Sequence, residues 1–506
     1  TPPGWREAYT TWSEAGWCSL TGDPAFGGQG LPMALQIALT DIWNQANPAF
    51  ALNPLLTIGA VEALQAHGTP EQQALYLPKM ITGEWAGTMN LTEPHAGSDL
   101  GDLKTRAEPQ GDGTYRLFGQ KIYISYGEHD LTENIIHLVL ARLPDAPAGT
   151  RGISLFLVPK RHVAADGTLG AVNDIHCAGL ERKLGLHASP TCTLIYGAAG
   201  EGALGTMVGA PHRGLSALFT MMNNARVSVG MQGAAIAERA TQAAIHYAAE
   251  RRQGRTKGAA DMVPIKDHAD VKRMLLTMRG LTSAARAICY ACAVAIDRGR
   301  DDPFYAARAD LLTPIAKAFA TDAGVEVASI GIQVHGGMGY IEETGAAQYL
   351  RDARIFPIYE GTNGIQALDL LRRKITMEDG AVLTAFLAEL QETADRARTA
   401  NTLALQRAAQ HLAAAIAAVA DAAATLRARL DEAPERALPA ATPFLQNLGT
   451  TAGGAYLIKG ALESTNGQGP TREAVAQVFA ATQLVPVPAA LSGALESADH
   501  IAAYQS

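Results

Sequence analysis

The sequence predicts an α+β fold made of a helical domain, an antiparallel β domain, a second helical domain and an appended helical region. Apolar residues first recur at helical spacing, then alternate in short runs, and then return to helical spacing, which predicts this order. The 506 residues, 48% hydrophobic and 18% charged, are enough to bury several cores. We expect the domains to span residues 1–85, 86–208, 209–375 and 376–506.

Residues that end and start helices mark the first domain. In AHGTPEQQALYLPKM, Gly68 ends one predicted helix, Thr69 caps the next, and Pro70 occupies its first position. Gln72 completes a capping box with Thr69. The chain begins with TPPGW and shows no signal-like region, so we expect the start of this domain to be processed or missing.

Short alternating runs characterise the second domain. They are TYRLFG, KIYISYG, IIHLVLARL, GISLFLVPK and CTLIYGA, separated by Gly, Pro, Asn and Asp. Alternation with a period of two, bounded by turn residues, is typical of strands that bury one face. The runs therefore predict an antiparallel β domain.

Helical spacing returns after the sheet, as in GLSALFTMMNNARVSVGMQGAAIAERA, and continues to about residue 375. Beyond that point the sequence becomes rich in alanine, which has the highest helix propensity and allows helices to pack closely. This composition predicts an appended helical bundle. We consider two roles for it: a stability module, or a substitute for the contacts of a second dimer, which would leave a dimer.

Composition argues against several partner classes. The net charge of −8 and the pI of 5.9 disfavour nucleic acid and anionic membranes, which require basic patches. The most apolar segment, HLAAAIAAVADAAATL, is interrupted by Asp421, so we expect no membrane span. Five scattered cysteines favour a reducing, cytoplasmic compartment. Cys289 and Cys292 lie in a helical run without a second ligand pair, so we expect core packing there and no metal site.

Three loops are candidate ligand contacts. MNLTEPHAGSDLGDLKTRA (89–107) surrounds two glycines with small and hydroxyl residues, and ERRQGR (250–255) could offer arginines to a pyrophosphate. GIQVHGGMGY (331–340) contains three glycines that permit close approach of a ligand or a neighbouring chain. Each has an ordinary alternative, respectively a turn, a solvated charged face and a loop around a satisfied His335.

Taken in order, these segments are more specific. LTEPHAGSD, KIYIS, ARVSVG, ERRQGR, QVHGGMGY and IYEGTNGIQ resemble the acyl-CoA dehydrogenase family from about residue 5 to residue 375. The length and the helical extension resemble the branch with methylthiopropanoyl-CoA dehydrogenases and broad-range bacterial fatty acyl-CoA dehydrogenases. The resemblance implies FAD as cofactor, bound between the β domain and the second helical domain, and an acyl-CoA substrate.

The resemblance also implies roles for individual residues. The residues that match flavin-ring contacts are Leu91, Thr92, Ile124 and Ser125, and Ser98 matches a position near the FAD pyrophosphate and the acyl-CoA chain. Arg251 and Gln253 match groups that reach the FAD of a neighbouring subunit, and Gln333, Gly336 and Gly337 lie in a stretch that lines its adenosine end. Thr362 and Asn363 match contacts to the middle of the dinucleotide. Such shared sites imply at least a homodimer.

Glu360 resembles the catalytic base of the family. The reaction removes a proton from Cα of an acyl thioester while a hydride leaves Cβ for flavin N5. We expect Phe356, Ile358 and Tyr359 to desolvate the carboxylate and raise its pKa. Gly361 would let the thioester carbonyl approach the backbone N–H. The ordinary alternative is an acid that favours a helix N-terminus.

Some relatives carry the base on an earlier helix, immediately before the arginine that matches Arg226. That position is Ala225 here, so Glu360 has no rival at a matching position. Arg226 itself would lie near the acyl-CoA cleft.

The leading interpretation is an acyl-CoA dehydrogenase of fatty acid metabolism that passes electrons to an electron-transfer flavoprotein. An acyl-CoA oxidase is the first alternative, because it uses the same site but admits oxygen. A flavin-binding stress protein of the same fold, with little dehydrogenase activity, is the second.

Overall fold

The structure, a computed structural model, describes residues 1–258, 260–464 and 469–504, and the side chains of residues 469 and 470 lie outside that description. The chain forms two compact units. The first comprises Thr1–Gln36 and Ala46–Ala225, and the second comprises Ile37–Gln45 and Arg226–Ser506.

Helices open the chain, as predicted. They are α1 (Trp5–Glu14), α2 (Met33–Ala46), α3 (Pro48–His67) and α4 (Pro70–Thr82). The predicted capping box is present, because the Thr69 hydroxyl accepts from the Gln72 N–H and the Gln72 side chain accepts from the Thr69 N–H.

Ten strands follow these helices within the described residues. They are β1 (Trp85–Asn90), β2 (Arg106–Pro109), β3 (Thr114–Ser125), β4 (Asn134–Arg142), β5 (Ile153–Pro159), β6 (Arg161–Val163), β7 (Leu169–Val172), β8 (Ile175–Leu180), β9 (Thr191–Tyr196) and β10 (Ala203–Val208). The main sheet has the order β1-β4-β5-β10-β3-β9-β8, with β2 paired to β3 and β4, while β6 and β7 form a separate ribbon.

The sheet is mostly antiparallel, with one correction to the prediction. β1 pairs with β4 in parallel, from Trp85 opposite Asn134 to Asn90 opposite Val139. The connecting residues 91–133 form no crossover α-helix. They contain β2 and β3, and β1 lies at an edge of the sheet beside a strand of the same direction. One face of the sheet packs against α3 and α4, and the other encloses a core around Phe156 and Tyr196.

Helices form the rest of the chain. They are α5 (Gly214–Glu250), α6 (Ala269–Arg298), α7 (Pro303–His335), α8 (Ala346–Ala353), α9 (Asn363–Asp369), α10 (Ala381–Arg398), α11 (Leu403–Glu432), α12 (Ala441–Leu462), α13 (Gly469–Phe479) and α14 (Val487–Ala503). The domain boundaries predicted from the sequence stay predictions.

Small residues set the helix packing in the second unit. A Cβ on Gly230 or Gly233 of α5 would lie 2.6 or 2.4 Å from the carbonyl oxygens of Ala316 or Ala320 of α7. Glycine therefore allows these two helix backbones to touch. Helix α12, beyond residue 376, packs on α6, α7 and α9, so the extension shares a core with the preceding bundle.

Four described helical stretches are long and apolar enough to cross a membrane by length and composition alone. They are Pro48–His67, Ala269–Arg298, Leu403–Glu432 and Thr471–Ala503, with 67%, 56%, 44% and 28% of their most apolar windows buried in the protein. This finding corrects the sequence criterion used above, because the segment that contains Asp421 qualifies in spite of its charge. The expectation that the chain has no membrane span stays a prediction.

Candidate active site

Glu360 lies in a tight connection between α8 and α9. Phe356 is fully buried and stacks on Tyr359 with ring centroids 6.0 Å apart. The Tyr359 hydroxyl hydrogen-bonds to the Gln232 side chain of α5, which fixes the turn just before Glu360. Ile358, however, is 49% exposed in the single chain, and its predicted contribution to the desolvation of Glu360 stays a prediction. The turn directs Phe356 and Tyr359 inward and leaves Ile358 on its outer side.

Glu360 has a left-handed backbone with φ of 55°. Few residues other than glycine adopt this conformation, and its cost is tolerated where the surroundings impose it. Gly361 follows at φ 79°, and the Gln366 side chain donates to the carbonyl oxygens of both residues at 3.3 and 3.4 Å. The next residue, Thr362, caps α9 by accepting from the Ile365 N–H at 3.1 Å. The Glu360 backbone is thus held from the helix that follows it.

Opposing electrostatic effects act on the half-buried Glu360 carboxyl. Burial raises its pKa above the ordinary value, while the positive charges of Arg226 and Lys317 oppose that rise. Both cations are buried. Arg226 lies 3.8 Å from the Asp369 carboxylate. The result is a carboxylate made more basic by burial but kept ionisable by its neighbours.

Lys317 and Asn363 form a buried polar contact beside this turn. The Lys317 ammonium donates to Asn363 Oδ1 at 2.8 Å, and burial lowers the pKa of Lys317 to about 7. The Asn363 Nδ2 group donates to Asp322 at 2.8 Å and to the Thr321 hydroxyl at 3.1 Å. The Asn363 amide is therefore occupied by protein groups. Its predicted contact to FAD stays a prediction and would have to involve other atoms of the residue.

The predicted flavin contacts of the first unit surround a bulge in β3. The pairing of β3 with β9 shifts between Lys121 and Ile124, and Tyr123 has a left-handed φ of 60°. Tyr123 is 62% exposed, whereas Ile124 points into the sheet core. A contact of Ile124 with a flavin would therefore use its backbone.

A buried ion pair connects the two segments that carry these contacts. The Lys121 ammonium donates to Glu93 Oε1 at 2.8 Å and to the Leu91 carbonyl at 2.9 Å. The Ile122 N–H donates to the Thr92 carbonyl at 2.9 Å. Leu91, Thr92 and Ser125 are each partly exposed, so the pair holds in place a surface that a ligand could contact.

The other predicted cofactor residues lie at the surface of their own units. Ser98 of the first unit is exposed, as are Arg251, Gln253, Gln333, Gly336 and Gly337 of the second. His335 is buried and stacks on Tyr247 with centroids 4.5 Å apart, and its Nδ1 contacts the Gly331 carbonyl at 2.7 Å. His335 is therefore a buried, hydrogen-bonded residue at the end of α7, which fits the alternative of a satisfied core histidine. The stacking of His335 on Tyr247 also packs the end of α7 against α5, close to Arg251 in the sequence.

The exposed groups fit a flavin dinucleotide in their chemistry. A Cβ on Gly336 or Gly337 would meet no atom within 4 Å, so both glycines face open space where a ligand can approach the backbone. Arg251 presents a guanidinium suited to a pyrophosphate. No cluster of three or more His, Cys, Asp or Glu side chains suited to a metal occurs in the described part of the chain. Cys289 and Cys292 are buried in α6.

Comparison with known proteins decides the family. Acyl-CoA dehydrogenase domain models match residues 2–84 (N-terminal domain), 88–198 (middle domain) and 212–375 (C-terminal domain), and an acetyl-CoA dehydrogenase C-terminal-like model matches 386–504. The chain belongs to the acyl-CoA dehydrogenase family. As a member, it is an FAD-dependent dehydrogenase of acyl-CoA thioesters.

Individual relatives refine this placement. The chain is 46% identical to the 3-methylmercaptopropionyl-CoA dehydrogenase of Ruegeria pomeroyi, over 99% of this chain and 87% of that protein. It is 34% identical to the broad-specificity linear acyl-CoA dehydrogenase FadE5 of Mycobacterium tuberculosis, over 80% of this chain and 69% of that protein. Both relatives are named as dehydrogenases, which does not favour the oxidase or the stress protein.

A solved structure supports the fold over nearly the whole chain. Caenorhabditis elegans ACDH-11, crystallised in complex with C11-CoA, superposes with a TM-score of 0.82 at 23% identity, covering 96% of this chain and 80% of that one. At this identity the likeness concerns the fold, and it includes the helical extension.

The sequence analysis missed four functional candidates: Glu93, Lys121, Lys317 and Gln232. A lysine within the apolar strand run KIYIS was a usable signal for Lys121, because a buried lysine requires a partner. Lys317 in TPIAKAFAT gives the same signal on a helix. Their partners lie 28 and 46 residues away along the chain, and only the fold identifies them.

Proposed function

We propose that Glu360 is the base that removes the α-proton of the acyl-CoA. The observation that carries this assignment is a half-buried carboxyl in a left-handed backbone. Burial raises the pKa of this carboxyl, and two buried cations oppose the rise. A base works best when its pKa lies near the operating pH, and this environment moves a carboxyl in that direction. Ala225, at the alternative position, cannot accept a proton.

The roles of the surrounding residues follow from this chemistry. Glu360 takes the α-proton, and the Gly361 backbone N–H donates to the thioester carbonyl as negative charge develops on it. Arg226 supports the same face by holding positive charge near Gly361, since a Cβ on that glycine would lie 3.9 Å from Arg226 Nη2. FAD supplies the hydride acceptor when bound. Loss of a proton from Cα and a hydride from Cβ leaves the trans-2-enoyl thioester.

The predicted cofactor residues remain our assignment for FAD. Leu91, Thr92, Ile124 and Ser125 would contact the ring, and Ser98 the pyrophosphate or the acyl chain. Arg251, Gln253, Gln333, Gly336 and Gly337 would contact the FAD of a partner subunit, and Thr362 and Asn363 the middle of the dinucleotide. The exposure of the Arg251 and Gly336 segments in the single chain supports a homodimer, because a second chain would cover them.

The substrate that the comparisons favour is a short acyl-CoA with a thioether, such as 3-methylthiopropanoyl-CoA. The 46% identity to the Ruegeria pomeroyi enzyme over nearly the whole chain supports it. A linear fatty acyl-CoA is the second candidate, supported by the Mycobacterium tuberculosis relative.

Electrons would leave the enzyme for an electron-transfer flavoprotein. The five scattered cysteines support a cytoplasmic protein, and the acidic charge balance argues against a nucleic-acid partner. We also propose that none of the four apolar helices spans a membrane, because each packs against other elements of its own unit.

Anaerobic stopped-flow measurement of flavin bleaching tests the assignment with a panel of 3-methylthiopropanoyl-, butyryl- and longer acyl-CoAs. We expect bleaching in the wild type and a loss of roughly 100-fold or more in Glu360→Gln, with FAD content and acyl-CoA binding retained. Retained reduction in Glu360→Gln would refute Glu360 as the base. Rapid stoichiometric peroxide release in air, without an added acceptor, would instead identify an oxidase.

A further inference from the structure

The helical extension approaches the turn that carries Glu360 through helix α12. A Cβ on Gly449 of α12 would lie 2.8 Å from the Phe319 side chain of α7, so glycine allows α12 to pack closely against this side chain. Gln446 lies three residues earlier, on the same face of α12. Its side chain therefore projects toward the polar residues of α7 rather than toward solvent.

Gln446 donates a hydrogen bond to Oδ2 of Asp322. The other carboxylate oxygen, Oδ1, accepts from Asn363 Nδ2 at 2.8 Å. The Asp322 carboxylate thus links the extension to the first residue of α9. Burial raises the pKa of Asp322, and the hydrogen bonds from Asn363 and Gln446 act against that rise, so both donors favour the charged form.

Asn363 also stabilises the turn that contains Glu360. Its backbone N–H donates to the Pro357 carbonyl at 2.9 Å, which spans the segment that contains Glu360. Its side chain is held from both ends, by Asp322 on the amide nitrogen and by Lys317 on the amide oxygen. A change in the position of Asp322 would therefore move the anchor of the turn.

We propose that Gln446 of the helical extension is a positioning residue for the dehydrogenation, acting through Asp322 and Asn363 on the turn that carries Glu360. The inference rests on the proposed role of Glu360. It assigns to the extension a contribution to catalysis in addition to stability. Gln446 is about half-buried, and no contact of its own with substrate or cofactor is required.

The test compares Gln446→Leu with Asn447→Leu in FAD-loaded full-length protein. Asn447 is the matched control, because it is the adjacent amide on α12 and, in the described part of the chain, its side chain donates to the Pro443 carbonyl of its own helix at 2.8 Å. We expect Gln446→Leu to lower the rate constant of flavin reduction at saturating acyl-CoA by about 10-fold, because the loss of one hydrogen bond is an effect of this size. FAD content and acyl-CoA affinity should stay near the wild-type values. Asn447→Leu should leave the rate within about twofold.

A double-mutant cycle shows whether Gln446 acts through Asn363. In an Asn363→Ala background, Gln446→Leu should add little further loss, because the connection is already cut. If the leucine variant does not fold, Gln446→Ala removes the same amide and is measured in the same way.

Two results would overturn the proposal: an unchanged reduction rate in Gln446→Leu, whatever its thermal stability, or losses that multiply independently in the double variant. Either result in an enzyme whose wild type is reduced, and whose Glu360→Gln variant is not, would leave the proposed function intact. Failure of the wild type to be reduced by any acyl-CoA would refute the proposed function instead.

Discussion

Replacement of Lys121 by methionine should destabilise the first unit and release FAD. Lys121 is fully buried, and within the described part of the chain its anionic partner is Glu93, whose side chain is 2% exposed. Methionine fills a similar volume but removes the positive charge. The substitution therefore measures what a buried carboxylate loses when its positively charged partner is removed.

The size of the effect follows from what Glu93 retains. In addition to Lys121, the carboxylate accepts from the Lys104 N–H at 2.8 Å, the Thr105 N–H at 2.9 Å and the Thr105 hydroxyl at 2.5 Å. Breaking a buried ion pair from one side costs about 3–5 kcal/mol. Because three donors to the Glu93 carboxylate remain, we expect Lys121→Met to lower the free energy of unfolding by about 3 kcal/mol, the lower end of this range.

The dependence on pH separates lost charge from lost packing. In the wild type the pKa of Glu93 is lowered, since Lys121 and the other donors outweigh the effect of burial. A lowered carboxyl pKa contributes stability above the unfolded-state pKa and loses it as pH falls. In Lys121→Met, burial should raise the Glu93 pKa, so the folded state binds a proton more readily than the unfolded one. The stability gap between the two proteins should therefore narrow as pH falls from 7 toward 5.

The assay is urea unfolding followed by tryptophan fluorescence, with the flavin-to-protein absorbance ratio measured on the purified variant. Four of the five tryptophans, Trp5, Trp12, Trp17 and Trp85, belong to the first unit. Lys104→Met is the matched control, because Lys104 is exposed and only its backbone contacts Glu93. We expect that control to stay within about 0.5 kcal/mol of the wild type. A difference in unfolding free energy between Lys121→Met and the wild type that is small, or that is constant from pH 7 to pH 5, would refute the electrostatic reasoning.

Two further variants test the second unit. Arg251→Ala should lower FAD retention and loosen the dimer together, because the exposed guanidinium is proposed to reach a partner's pyrophosphate; size-exclusion chromatography with flavin absorbance measures both. Arg252→Ala is its control, since Arg252 bonds to the Met262 carbonyl of its own chain, and a yellow, dimeric Arg251→Ala would contradict the assignment. Lys317→Met should move the base limb of the pH–rate profile for flavin reduction to higher pH, because a positive charge that lowers the Glu360 pKa is lost. An unmoved or lowered limb would show that Lys317 does not act on Glu360.

The sequence predicts the elements of this fold well where the pattern is local. The capping box at Thr69 and Gln72 forms as predicted, because all of its groups lie within four residues. The parallel pairing of β1 with β4 could not be predicted from alternation, which reports which face is buried but not which strand lies alongside. The left-handed backbone of Glu360 is equally invisible, since nothing local requires a non-glycine residue there.

In the candidate site, too, local features could be predicted from the sequence and long-range contacts could not. Glu360 could be singled out from its motif, and the structure agrees that burial raises its pKa. Ile358, which was predicted to shield the carboxyl, is 49% exposed in the single chain, because an apolar run predicts that a turn is partly buried but not which side chain faces outward. Lys317 and Gln446 lie 46 and 83 residues from Asn363 along the chain, and their connection to it is a property of helix packing.

The charges around Glu360 indicate why a bundle far along the chain can matter to the reaction. A carboxylate surrounded only by cations would be a weak base, whereas one that is only buried would stay protonated at neutral pH. Burial lowers the pKa of Lys317 to about 7, and the negative charges of Glu360 and Asp322 oppose that fall, so the positive charge of Lys317 depends on these two carboxylates. Gln446 favours the charged form of Asp322. In our proposal the extension acts on the base through Asp322 and then Asn363, and the hydrogen bond that begins this connection is lost when the Gln446 amide is removed.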